Sequence, residues 1–164
     1  MNGQLTAVGT DAIPEIQDLA RRIWPDTFGT ILTEDQIEYM LDMMYGTKSL
    51  REQMSRSRLQ FFLYQIGGVS VGFMSLEGVG AAVRLHKLYL LPDMQGKGHG
   101  KRMLDYAQTW AREQGASYLL LNVNKYNKGA IAFYEKVGFH ISKEEDIDIG
   151  SGYWMNDYQM ECPL

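Results

Sequence analysis

"LYLLPDMQGKGHGKRML", residues 88–104, is the stretch on which the reading of this chain turns. Its apolar run stops at Pro92. Gly96, Gly98 and Gly100 then alternate within five positions, and Lys101 and Arg102 open a helical pattern whose apolar face is Met103, Leu104, Ala107, Trp110 and Ala111. A single glycine makes a turn. Three alternate ones, between a strand and a helix, leave bare backbone that a ligand can approach closely. The first N–H groups of the helix have no partner within it and sit at the positive end of its dipole. Lys97, Lys101 and Arg102 add positive charge. The spacing predicts a socket for a pyrophosphate.

The common phosphate patterns do not fit. In the nucleotide loop GxxxxGK followed by Ser or Thr, Gln95 occupies a glycine position and Arg102 stands where a hydroxyl would hold magnesium. The dinucleotide pattern GxGxxG fails at its last glycine, where Lys101 or Met103 stands. What remains is Q-x-x-G-x-G, read as Gln95, Gly98 and Gly100.

Outward from that bend, the pattern gives elements in both directions. Upstream, Ile13, Ile16, Leu19, Ala20 and Ile23 predict a helix over 11–24 that Pro25 ends, and Thr33 with Gln36 opens a second one as a capping box. Residues 48–57 continue helically at another angle. "LQFFLYQI" and "VSVGFMSL" read as strands joined at Gly67-Gly68, a pair suited to a two-residue hairpin because both can take positive φ. A third strand, about 82–91, enters the glycine bend. Downstream come a buried strand "SYLLLNV", a helix "NKGAIAFYEKVGF" and two last strands about Gly150-Ser151-Gly152. With a short first strand at 4–8, the order is β-α-α-β-β-β-α-β-α-β-β. That order predicts one α/β domain over 1–164, with a mixed, mostly antiparallel sheet of six to seven strands and helices on both faces.

Composition narrows the class. The chain has 164 residues and a net charge of −4, so nucleic acid is not an expected partner. One cysteine, Cys162, cannot pair within the chain. The N-terminus lacks a signal-peptide pattern, and no run approaches the roughly 20 apolar residues of a membrane helix. The expectation is a cytoplasmic protein without a membrane segment. No His/Cys cluster has metal spacing, so no metal is expected.

The Q-x-x-G-x-G bend after "LYLLP" resembles the acyl-CoA signature of the GCN5-related N-acetyltransferases, R/Q-x-x-G-x-G/A. A second motif of that family, N-x-x-A-x-x-F-Y-x-x-x-G-F, is matched by Asn127, Ala130, Phe133, Tyr134, Gly138 and Phe139. The resemblance covers residues 59–141 well. It implies a GNAT fold and acetyl transfer from acetyl-CoA to a primary amine by direct attack, with no covalent enzyme intermediate. It places the carrier along Leu88, Tyr89 and Leu90, with its diphosphate at Gln95, Gly96, Lys97, Gly98, His99, Gly100 and Lys101. Asn122, Asn127, Phe133 and Lys136 are further candidate cofactor contacts.

By the same resemblance Tyr134 is the acid that protonates the departing thiolate. A phenol, with an ordinary pKa of about 10, carries the proton needed. Many relatives have a glutamate base on the fourth strand; here the matching residue is His86, and an imidazole titrating near ~6.5 can take a proton at neutral pH. Glu77 on the adjacent strand is the other candidate base. Each has a plain alternative: Tyr134 as core, His86 as a satisfied strand residue, Asn122 and Asn127 as caps.

The acceptor is read from charge. Glu34, Asp35, Glu38 and Asp42, with Glu144, Glu145, Asp146, Asp148 and Asp157 and the aromatics Tyr153 and Trp154, would suit a polycation. The layout also looks like bacterial polyamine N-acetyltransferases of the PaiA type. The expected partner is therefore a small polycationic amine. A protein N-terminus or lysine as acceptor, and an acyl-CoA-binding regulatory module without turnover, stay open. A homodimer through the last strands is compatible with their aromatic content.

Overall fold

In the computed structural model, which describes residues 2–164, a first strand β1 (Gln4–Val8) leads through one 3-10 turn into three helices, α1 (Ile13–Phe28), α2 (Glu34–Tyr45) and α3 (Thr47–Ser55). An antiparallel meander follows: β2 (Leu59–Ile66), β3 (Val69–Val79) and β4 (Ala82–Leu90). The glycine bend connects to α4 (His99–Glu113), then β5 (Tyr118–Asn124), α5 (Lys128–Lys136), β6 (His140–Gly150) and β7 (Tyr153–Pro163).

The seven strands form one sheet in the order β1-β2-β3-β4-β5-β7-β6. Every neighbouring pair is antiparallel except β4 and β5, which run parallel. That parallel pairing is short. Ala82–Leu85 pair with Tyr118–Leu121, and beyond those residues the two strands have no shared register. The main-chain groups of β4 from His86 to Leu90, on the side away from β3, therefore have no strand beside them.

Both faces of the sheet are covered. On one, Trp24 of α1 lies 5.9 Å from Tyr89 and 5.7 Å from Tyr45 of α2, above Phe61 and Phe73. On the other, Tyr106 and Trp110 of α4 pack edge-on to Phe62 at 5.3 and 6.3 Å. β5 is buried along Leu119, Leu120, Leu121 and Val123, as its unbroken apolar run predicts.

The helix at another angle expected for residues 48–57 is α3, Thr47–Ser55; Gly46 turns the chain there, its N–H bonding Asp42 O at 3.0 Å. One detail differs from the sequence reading. Pro25 lies within α1 instead of ending it. In the last turn a missing proline N–H forfeits one bond, and Trp24 and Phe28, both buried, hold that turn on the core. The Thr33 cap is as expected, its hydroxyl accepting from Gln36 N at 3.1 Å.

Candidate active site

The bend after β4 is built for exposed amides. Gly96 and Gly98 have φ of 74° and 86°, a left-handed backbone that costs a side-chain-bearing residue about 1–2 kcal/mol. Gly98 is the residue before α4, and no side chain caps it. The first bond of that helix runs from Arg102 N to Gly98 O, so the amides of His99, Gly100 and Lys101 have no helical partner. Gly100 is not at positive φ, and a Cβ there would make ordinary contact, 3.4 Å from the ring of Phe133, which brings α5 against the start of α4.

The side chains of the bend are committed elsewhere. Gln95 Nε2 donates to Leu90 O at 3.1 Å, tying down the end of β4. His99 Nδ1 meets the Tyr64 hydroxyl at 2.6 Å. Arg102 Nε donates to Gly3 O at 3.0 Å, which holds the side chain without removing its charge. Lys101 pairs with Asp105 at 3.1 Å, while Lys97 is exposed and forms no ion pair among the described residues. What the bend offers an anion is thus backbone N–H, Lys97 and the charge of Arg102 at the start of α4, in front of a helix dipole.

Tyr134 on α5 is felt at Tyr89, on the stretch of β4 that has no strand beside it. Its ring packs against Phe133 at 5.2 Å and Phe139 at 5.4 Å. Burial pushes the phenol well above its ordinary pKa, and no hydrogen bond opposes that shift. Tyr89 on β4 is raised likewise, first by burial and then by Tyr134 and the Asp157 charge, so the three groups share one electrostatic neighbourhood. Leu88 is half-buried beside Tyr89. Asn127 is the cap of α5, its Oδ1 accepting from Ala130 N at 3.3 Å, and Lys136 is exposed at the other end of that helix.

His86 and Glu77 come together as a pair, which the sequence offered only as alternatives. A bulge where Ser75 and Leu76 of β3 face Lys87 and Leu85 of β4 leaves His86 as the extra residue. Its Nε2 lies 2.8 Å from Glu77 Oε1, and Arg56 is 3.5 Å from the same oxygen. Burial lowers the imidazole pKa, and the bond to Glu77 works against that. His86 is therefore neutral at physiological pH, with its carboxylate partner able to stabilise the protonated form.

Beside His86 a cleft of about 310 Å³ opens between α2–α3 and β4, lined by Met43, Met44, Gln53, Arg56 and Lys87 among others. Lys87 is a feature that sequence reading missed. It is 5% exposed, its Nζ donates to Gln53 Oε1 at 2.7 Å, and the rings of Tyr45 and Phe61 lie at 5.5 and 5.4 Å. Burial lowers its pKa to about 8.

Asn122 is held within a polar chain of the sheet. It accepts from Arg84 Nη1 at 3.0 Å and donates to Glu145 at 3.1 Å and Asp157 at 3.3 Å. Its side-chain donors and acceptor are thus engaged with protein, which weakens its reading as a cofactor contact.

The acidic segments also meet. The β6–β7 tip rests on α2: Tyr39 donates to Ile149 O at 2.5 Å, Gln36 donates to Trp154 O at 2.9 Å, and Tyr39 lies 5.1 Å from Tyr153. Much of the expected negative charge is neutralised. Glu38 pairs with Arg21, Glu144 and Asp146 share Lys125, and Glu145 pairs with Lys143. Glu34, Asp35, Asp42, Asp148 and Asp157 have no ion pair among the described residues.

The described residues hold no cluster of metal-binding side chains, and no described helix is long and apolar enough to cross a membrane. The family model "Acetyltransferase (GNAT) family" matches residues 13–139. A spermidine N(1)-acetyltransferase of Thermoplasma acidophilum is 27% identical over 159 residues, covering 94% of this chain and 96% of that protein. An uncharacterized N-acetyltransferase of Mycobacterium tuberculosis is 30% identical over 152 residues, covering 92% and 96%. Among solved structures, the PaiA N-acetyltransferase of Thermoplasma acidophilum in complex with coenzyme A superimposes with a TM-score of 0.85 at 25% identity, covering 100% of both chains.

Proposed function

The chain belongs to the GNAT family of acetyltransferases and is an acetyl-CoA-dependent N-acetyltransferase; from that premise we propose that its acceptor is a polyamine, with Tyr134 as the acid and the His86–Glu77 pair as the base. The observation that carries the assignment of roles is the four-pair limit on β4–β5 pairing. It leaves an opening in the sheet with a partnerless phenol on α5 and, further along β4, an imidazole bonded to a carboxylate.

The residues present fit the carrier. The amides of the Gly96–Lys101 bend take its diphosphate, and the free edge of β4 from Leu88 to Leu90 takes its amide-bearing arm as an extra strand would. When bound, the carrier supplies the acetyl thioester; the protein supplies proton handling and position. His86 accepts a proton from the acceptor's ammonium, directly or through a water, and Glu77 stabilises the imidazolium so formed. Main-chain N–H groups of β4 stabilise the developing oxyanion. Tyr134 stays protonated across the working pH range and delivers its proton to the departing sulfur.

Two observations support a polyamine. The full-length likeness to a spermidine N(1)-acetyltransferase is one. The other is the run of unpaired acids on α2, Glu34, Asp35 and Asp42, beside the aromatic β6–β7 tip. The test is thiol release with acetyl-CoA and a panel of spermine, spermidine, putrescine, propylamine and a lysine-containing peptide. The expected result is kcat/KM rising with the number of positive charges on the acceptor. Equal rates for propylamine and spermidine, or a preference for the peptide, would remove the polyamine.

A further inference from the structure

Asp157 is the anomaly of the sheet. The carboxylates with short contacts to lysine or arginine are either near the surface, as Asp18, Glu38, Asp105, Glu144 and Asp146 are, or covered but paired, as Glu77 is with Arg56 and Glu145 with Lys143. Asp157 is 4% exposed and has no cation within ion-pair distance. Its one hydrogen bond comes from Asn122 Nδ2 at 3.3 Å, a long contact, and the same amide group also serves Glu145. An ionised carboxylate has about four acceptor sites to fill, and burying one without a counter-charge is expensive.

Its place makes the deficit informative. Asp157 stands on β7 opposite Asn124, where β5 has left β4, so one strand separates it from the opening, and its charge is felt at Tyr89 on the far side.

We infer that Asp157, with the Tyr89 hydroxyl as a second acceptor, holds the ammonium of the acceptor amine at the mouth of the β4–β5 opening. A protonated amine brings what this corner lacks: one positive charge and three N–H donors. The charged groups around it agree. Glu145 adds negative charge and is itself balanced by Lys143, Arg84 keeps its charge but reaches Asn122 and makes no ion pair with Asp157, and Tyr89 and Tyr134 are neutral. Lys87 and Arg56 line the cleft beyond His86 and repel further positive charge, so a polycation extends away from them. Asp157 is thus a specificity-determining residue. The inference rests on amine acetylation and holds for any cationic acceptor.

The test is Asp157→Asn, which keeps shape and removes charge, beside Tyr89→Phe, with steady-state kinetics on the same amine panel. Asp157→Asn is expected to raise KM for the preferred amine by about tenfold or more, to leave KM for acetyl-CoA unchanged, and to melt no lower than wild type. Tyr89→Phe is expected to raise the amine KM to a smaller degree. An amine KM unchanged by Asp157→Asn overturns the inference, and so does a variant that melts lower or fails to fold, because the carboxylate is then a structural group. A wild type that prefers an amine other than a polyamine refutes the polyamine reading alone, and Asp157→Asn on that amine still decides. A wild type that acetylates no amine refutes both.

Discussion

Replacing Tyr134 by Phe separates catalysis from stability. The ring contacts to Phe133 at 5.2 Å and Phe139 at 5.4 Å survive the change, and the hydroxyl removed makes no hydrogen bond to the protein. Losing an unpaired, partly buried hydroxyl leaves stability within about 1 kcal/mol of wild type, on the favourable side. The rate behaves differently. A positioned acid is worth about 10²–10⁴-fold, so kcat should fall by on the order of 3–5 kcal/mol of barrier, at about 1.4 kcal/mol per tenfold. KM for acetyl-CoA should not move. Initial rates of thiol release at saturating amine, beside a denaturant melt, measure both. Because the phenol lies well above its ordinary pKa of about 10, wild-type kcat should show no alkaline decline from this group below that pH. A variant that keeps its rate within about threefold of wild type, well short of the loss an acid entails, would refute the assignment.

Other residues make separate claims. Gly98→Ala forces a left-handed φ on a side chain, costing about 1–2 kcal/mol; since its Cβ meets nothing within 4 Å, any larger loss of acetyl-CoA affinity by calorimetry reports the amides being re-aimed. His86 has a pKa lowered by burial, so the unfolded chain binds the extra proton as pH falls. Stability should therefore rise with pH up to about 6.5, the ordinary imidazole value, and level off above it; His86→Gln should flatten that slope in pH-dependent melts. The acid limb of kcat/KM should likewise lie below about 6.5 and vanish in that variant. Lys87 is held near 8 against 10.5 when unfolded, so its burial penalty is complete below the lower value and fades as pH climbs to the higher. Lys87→Met should stabilise the protein at neutral pH by on the order of 3 kcal/mol and remove that alkaline gain, as melts from pH 7 to 10 would show.

The fold was largely legible because its signals are local. The β2–β3 hairpin is announced by Gly67-Gly68 between alternating strands, and α4 by the glycine bend and its apolar face. Pro25 misled because its effect depends on how many helical bonds remain beyond it and on whether Trp24 and Phe28 find a core, neither of which is a local property. Of the candidate site, the motifs name positions, Gly98, Gly100 and Tyr134, and the structure adds their surroundings. Partnerships across long separations were not legible. His86 meets Glu77 only because a bulge turns it there, Arg102 bonds a carbonyl 99 residues away, and Asp157 reads as one more acid in a charged run until its burial is seen. Lys87 gave no signal at all, since a lysine on a strand is ordinarily solvated.

The brief contact between β4 and β5 divides the sheet into a four-stranded leaf and a three-stranded leaf, whose strands meet along one short seam and which are otherwise tied by the chain through α4 and by the β6–β7 tip resting on α2. Each leaf has its own complete antiparallel pairing, whereas the seam has only four residue pairs. A molecule lodged along the unpaired margin works as a splint across that seam. Loading the enzyme is then also a mechanical event: hydrogen exchange should slow first where the two leaves meet, and the smaller leaf should be the part that loosens when the donor departs.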